Sequence, residues 1–206
     1  MIVIPSVVEC VDGIFHEVIQ AVLLEAHEVK TGWQAMPFEL PDPDGKSHSL
    51  NDLLGEKGLL VAFICNHCPY VIAVADRLAA DAKLLQSEGI NVVAINPNDF
   101  ENYPDDSPAN MKRFAAKHGF DFPYLVDEDQ TVAKAYDAVC TPDFFGLNAD
   151  GILQYRGRLD DARMKSGEGR TPELLDAMRM VASTGTGPSV QHPSMGCSIK
   201  WRPARR

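Results

Sequence analysis

Leu59 to Val71 read LLVAFICNHCPYV, with Gly58 in front. The run to Ile64 is short and unbroken in its apolar character, the pattern of a central strand buried on both faces. Pro69 suits the first turn of a helix, where its missing N–H is not needed. A Cys-x-x-Cys pair, Cys65 and Cys68, therefore stands where a buried strand gives way to a helix N-terminus. Free backbone N–H groups and the positive end of a helix stabilise a thiolate there, and the thiolate is the nucleophilic form. Cys65 is expected to be the more exposed of the two, with Cys68 about one turn along, near enough to close a disulfide. The same spacing also serves half a zinc site or two inert core cysteines. A structural zinc normally takes four ligands, and the chain has no second Cys-x-x-Cys and no His-x3-His. His67, Cys140 and Cys197 could complete such a site only through folding, and neither a resident metal nor a cofactor is expected.

The bulk properties narrow the function classes. A chain of 206 residues suits one α/β domain with attachments. Its 19 basic residues against 29 acidic ones give a formal charge of -10, which argues against nucleic acid and anionic membrane surfaces. No apolar run approaches the ~18 to 20 residues of a membrane span. The first basic residue is Lys30, and Glu9 and Asp12 interrupt the early apolar pattern, so no signal peptide is read and a cytoplasmic protein is expected. Five cysteines are too few for a disulfide scaffold and point to redox chemistry.

Upstream, residues 6–30 place Val7, Val8, Val11, Ile14, Phe15, Val18, Ile19, Val22 and Leu23 on one wide stripe at helical period. Ser6 and Glu9 form a capping box. The spacing predicts a helix that packs against the domain or makes a homodimer, with Cys10 as a core or interface residue. Trp33 is read as a plug beneath that helix. A short strand is predicted over 38–40, a turn over 41–45 and a helical turn over 51–54.

Downstream, residues 69–87 predict an amphipathic helix turning Val71, Val74, Leu78, Leu84 and Leu85 to the core, ended by Gly89. Residues 90–95 read as a second buried strand, parallel to the first through a right-handed crossover. The polar loop 96–108 carries Asn98, Asp99, Tyr103, Asp105 and Asp106 and belongs at the edge where the Cys pair lies. Its carboxylates are read as solvated or capping groups. A helix over 108–118, a strand over 122–126, a helical turn over 130–136 and a hairpin of 143–147 with 152–157 follow. Residues 172–180 predict the last helix, with Thr171 as its N-cap and Pro172 in first position. Tyr155, Arg156, Arg158, Asp160 and Asp161 read as an ion-pair network holding the last loops.

The pieces Phe38-Glu-Leu-Pro-Asp42 with Gly45-Lys46, CNHCPYV, CTPDFFGL beginning at Cys140, Tyr155-Arg-Gly-Arg-Leu-Asp-Asp161 and Gly196-Cys-Ser-Ile-Lys-Trp201 resemble the thioredoxin superfamily. More narrowly, the chain is similar to the peroxiredoxin-like group of the alkyl hydroperoxide reductase and thiol-specific antioxidant class. The resemblance spans roughly residues 35–201. It implies a thioredoxin-like α/β fold, a central mixed sheet flanked by helices, over residues 35–182. An added N-terminal helical extension would occupy residues 1–34, and a C-terminal tail packing back on the domain residues 183–206.

By the same resemblance Cys65 is the nucleophile, Cys68 the resolving cysteine, Pro142 the cis-proline facing them and Thr141 the residue whose backbone meets substrate. Asn66, His67 and Pro69 shape the site. A histidine before the second cysteine is similar to oxidising exchange proteins, where it stabilises the thiolate. Cys140 and Cys197 are auxiliary redox candidates, with buried small hydrophobes as the alternative. Peroxiredoxins carry a Thr or Ser three residues before the reactive cysteine, where this chain has Ala62. That places thiol–disulfide exchange with protein or small-molecule partners ahead of peroxide reduction, and a metal carrier or sensor using Cys65, Cys68 and His67 behind both.

Overall fold

The computed structural model describes residues 23–25 and 30–203. Strand β1 (Leu23–Glu25) precedes a hairpin of β2 (Glu39–Pro41) and β3 (Ser47–Ser49), the short helix α1 (Leu50–Leu53) and strand β4 (Leu59–Phe63). Helix α2 (Pro69–Ser87), β5 (Asn91–Asn96), a 3-10 turn at Pro104–Asp106, α3 (Pro108–His118), β6 (Tyr124–Val126) and α4 (Thr131–Ala135) follow. The chain continues through β7 (Cys140–Thr141), β8 (Asp143–Leu147), β9 (Leu153–Gly157), α5 (Glu173–Thr184) and β10 (Met195–Ser198).

The main sheet runs β6-β5-β4-β8-β9. It is mixed: β4 is parallel to β5 and antiparallel to β8. Successive residues of a strand point to opposite faces, so β4 supplies two cores. Leu60, Ala62 and Ile64 pack with Val71 and Leu78 of α2 and Leu174 and Met178 of α5. Leu59, Val61 and Phe63 pack with Phe38, Leu50 and Tyr136. With both faces covered the strand has no solvent side, which is why its sequence shows no alternation. This is the thioredoxin-like α/β arrangement expected from the resemblance.

Several local expectations need correction. Leu84 is 45% exposed rather than inward; it lies about 100° around the helix from its buried neighbour Leu85, and both cannot face one core. Thr171 is not the N-cap of α5, a place taken by Pro172. Instead its N–H and hydroxyl both donate to Asp161, at 2.7 and 3.1 Å. The helix predicted over 6–30 does not include Leu23–Glu25, which is a strand paired antiparallel with Met195 to Cys197. The rest of that segment, with Cys10 and the proposed dimer face, lies outside the described residues. Trp33 packs edge-on against Tyr136 at 5.5 Å, in the core opposite the one that holds the cysteines.

Two registers set the geometry of the site. Phe63 pairs with Asp143, so Thr141 and Pro142 arrive beside Ile64 and Cys65, and the Thr141–Pro142 bond is cis. In a second, three-stranded sheet of order β1-β10-β7, Cys197 pairs with Thr141 and Ser198 with Cys140. Gly196 makes this approach feasible: a Cβ there would stand 2.0 Å from the Thr141 carbonyl oxygen and 3.0 Å from Pro142 N. Gly196→Ala should therefore push β10 off β7. A loss of about 1–3 kcal/mol in urea unfolding is expected for such overpacking, and unchanged stability would refute the close approach.

Candidate active site

Cys65 follows the end of β4, and Cys68 is the N-cap of α2 with Pro69 in the first turn. Thr141 holds both sulfurs. Its hydroxyl Oγ1 lies 3.1 Å from Cys65 Sγ, and its carbonyl accepts from Cys68 Sγ at 3.2 Å. A third sulfur completes the group, because Cys197 Sγ is 2.9 Å from Cys68 Sγ. Cys65, expected to be the more exposed cysteine, is so only marginally, since the two are 1% and 0% exposed and both are buried. The reason is cover from elements far along the chain, namely β10 and the loop that ends at Asp106.

Three sulfurs in contact share charge unequally. The Cys68 thiol is pulled far below its ordinary value, chiefly by its hydrogen bonding with the Cys197 and Cys65 thiols, with backbone amides of Val71 and Cys197 adding to it. Burial pushes the Cys65 thiol up, and neighbouring Cys68 and Asp106 push the same way. Cys197 is raised as well, first by its bond to Cys68 and then by burial. Among the three thiols Cys68 is thus the one lowered, at the helix N-terminus, while Cys65 and Cys197 are raised.

Beside the sulfurs lies a polar network centred on Asp106, one of the loop carboxylates expected to be solvated or capping groups. Asp106 is fully buried. Its Oδ1 accepts from the Asn66 amide at 2.7 Å, and its Oδ2 accepts from Asn98 Nδ2 at 2.7 Å and lies 2.8 Å from His67 Nδ1. The Asn66 side chain donates to the Asp105 carbonyl and accepts from the Tyr124 hydroxyl, at 2.9 and 3.1 Å. The imidazole of His67 stacks on Tyr103 at 6.1 Å between centroids. Its pKa is raised by the bond to Asp106 against the opposing effect of burial. Asp99, also read as solvated, is buried as well; it accepts from Asn102 at 2.6 Å. Asp106, Asn98 and Tyr124 are the site residues that the sequence reading missed. The one available signal was the position of the loop at the Cys edge of the sheet.

Cys65, Asn66, His67, Cys68, Pro69, Thr141, Pro142 and Cys197 are thus brought together. Cys140 is not. It precedes Thr141 on a strand, so its side chain leaves on the other face, where the thiol donates to the Pro142 carbonyl at 3.6 Å. Burial raises its pKa strongly. One ligand atom each from Cys65, His67 and Asp106 lie within 4.8 Å of one another, a constellation that could hold a cation, but the Asp106 oxygens are already committed to the hydrogen bonds above. A crevice of about 30 Å³ is lined by Pro142, Tyr70, Arg158 and Met195, and a groove of about 510 Å³ shares Tyr70, Arg158 and Met195 with it. No helix among the described residues is long and apolar enough to cross a membrane.

The AhpC/TSA family profile matches residues 31–156. The chain belongs to the AhpC/TSA family. An uncharacterized conserved protein from Geobacillus kaustophilus has a similar structure, with a TM-score of 0.84 and 44% identity over 89% of this chain and 98% of that one. Among curated relatives, the thiol-disulfide oxidoreductase ResA of Bacillus subtilis is 29% identical over 136 residues, covering 66% of this chain and 72% of the relative. Peroxiredoxin Bcp of Escherichia coli is 30% identical over 124 residues, covering 60% and 74%. This AhpC/TSA protein is thus similar to both exchange proteins and peroxidases, and its own site must separate them.

Proposed function

We propose that this protein is a thiol-disulfide oxidoreductase acting on protein or small-molecule disulfides through Cys65 and Cys68. The observation that carries the reading is Thr141, next to the cis Pro142, contacting both sulfurs at the start of α2. Exchange begins when the Cys65 proton moves to Cys68 and the Cys65 thiolate attacks a substrate disulfide. One substrate sulfur leaves and takes a proton, and a mixed disulfide remains at Cys65. Cys68, again as thiolate, then attacks Cys65 Sγ. The second substrate thiol is released, and a Cys65–Cys68 disulfide is left. The groove lined by Tyr70, Arg158 and Met195, which continues from the crevice at Pro142, is the place for the substrate chain. In the cytoplasm expected from the sequence, low-molecular thiols would return the pair to the dithiol.

Cys68→Ser should trap a mixed disulfide with substrate, Cys65→Ser should trap none, and the wild type should reduce insulin. Absence of both trap and insulin reduction would overturn the reading. A second reading, thiol peroxidase, is favoured by the Thr141 hydroxyl 3.1 Å from Cys65 Sγ, which offers from β7 the hydroxyl that Ala62 lacks. In that case Cys65 would pass through a sulfenic acid resolved by a second thiol. Stopped-flow peroxide consumption no faster than that of free cysteine would exclude it.

A further inference from the structure

The sulfur nearest to Cys68 within the network of named hydrogen bonds is that of Cys197, 2.9 Å away and 129 positions along the chain. Its placement does not depend on a mobile tail. Cys197 sits within β10 between β1 and β7, opposite Thr141. On its N-terminal side Gly196 lets the backbone close on Thr141 and Pro142. On its C-terminal side the Ile199 amide donates to the Val139 carbonyl at 3.3 Å and the Lys200 amide to Asn98 Oδ1 at 2.9 Å. The Cys197 sulfur is therefore held in contact with Cys68 by backbone pairing on both sides, whereas a chance pair of core cysteines needs no such anchoring.

We propose that Cys197 is a second exchange partner of Cys68, so that the three cysteines form a relay. The proposal rests on the thiol–disulfide reading of Cys65 and Cys68. Once the Cys65–Cys68 disulfide has formed, Cys197 attacks Cys68 Sγ. The Cys65–Cys68 bond breaks, a Cys68–Cys197 bond forms, and the proton that leaves Cys197 ends on Cys65. One disulfide and one thiol stand on each side of this step, so no further oxidant or reductant is needed. The outcome is a protein that stores its oxidising equivalents in a buried pair while Cys65 is again a free thiol. Such a protein can form a second mixed disulfide before the first pair is reduced, which a two-cysteine exchange protein cannot.

The relay is tested by oxidising Cys65→Ser with diamide, blocking free thiols, and mapping the peptides of the monomer. A Cys68–Cys197 link with the loss of two thiols per chain is expected, and it should vanish in Cys65→Ser combined with Cys197→Ser. Wild type treated with one equivalent of a small disulfide should show the same link together with a Cys65 that reacts with iodoacetamide. Cys197→Ser and Cys197→Ala should both stop at Cys65–Cys68 with Cys65 unreactive. Retention of both thiols in oxidised Cys65→Ser, links only between chains, or a wild type that carries only Cys65–Cys68 would each overturn the relay. Those results would leave the Cys68→Ser trap and insulin reduction standing, whereas failure of the exchange reading removes the trap itself.

Discussion

Arg156→Ala is expected to lower the unfolding free energy by about 3–5 kcal/mol, the range for removing one partner of a buried ion pair. Arg156 reaches under the site from β9. Its guanidinium donates to Asp143 Oδ2 at 3.0 Å and to the Asp137 carbonyl at 2.7 Å, and it lies 4.7 Å from the ring centre of Phe145. Asp143 is fully buried and follows Pro142 directly. Burial pushes its carboxyl up to about 6, although Arg156 acts in the other direction. The sign of the pH dependence follows. Because the folded value lies above the unfolded one, ionisation of Asp143 takes stability away as pH rises from about 4 to about 6. Without Arg156 the carboxylate has lost its partner cation, and the penalty grows wherever it must be charged. The deficit of Arg156→Ala, measured by urea unfolding, should therefore be larger at pH 8 than at pH 5. A deficit below about 1 kcal/mol, or one flat with pH, would show that the pair is not the anchor described. Since β8 starts at Asp143, exchange through Thr141 should slow in the same variant.

What the sequence made legible and what it hid differ in the range of the interactions involved. The central strand and α2 were readable because their determinants are local: an unbroken apolar run, Pro69 in the first turn and Gly89 after the end. The Cys pair and Thr141-Pro142 were readable by resemblance, and the Phe63 to Asp143 register is what joins them. By contrast, Leu23–Glu25 carries a helical apolar period yet pairs with β10 at the other end of the chain. Periodicity describes a segment in isolation, and strand pairing with a distant partner overrides it. Asp106 was misread for a related reason. An acidic residue in a polar loop looks solvated until the Asn66 amide and His67 arrive from the Cys pair and Asn98 folds back from the start of the same loop to surround it. Cys197 was a cysteine in an apolar tail. Only its register against Thr141 turns it into a neighbour of Cys68.

Asp106→Asn should be the most damaging single-atom change near the thiols. All three groups that meet the Asp106 carboxylate, the Asn66 amide, His67 Nδ1 and Asn98 Nδ2, approach as donors. An asparagine side chain offers one acceptor oxygen, so its NH2 group must face at least one donor. Losing hydrogen bonds to a charged acceptor costs about 1.5–3 kcal/mol each, and a loss near 3 kcal/mol is expected. The bond from Asp106 is also the largest cause of the raised pKa of His67, so an NMR titration should find the imidazole moved back down. For a histidine whose folded pKa exceeds the unfolded value, the stabilisation is whole below about pH 6.5 and fades as pH rises through the folded pKa. The gap between wild type and Asp106→Asn should accordingly be wider at pH 6 than at pH 9. A redox consequence follows from reciprocity. Negative charge on Cys68 favours the His67 cation, so the cation favours the Cys68 thiolate and with it the dithiol form. Weakening it should make the disulfide harder to reduce, shifting the potential to more negative values by on the order of 10–30 mV. A shift in the opposite direction would mean that the negative charge of Asp106, rather than the histidine it orients, governs the poise of the pair.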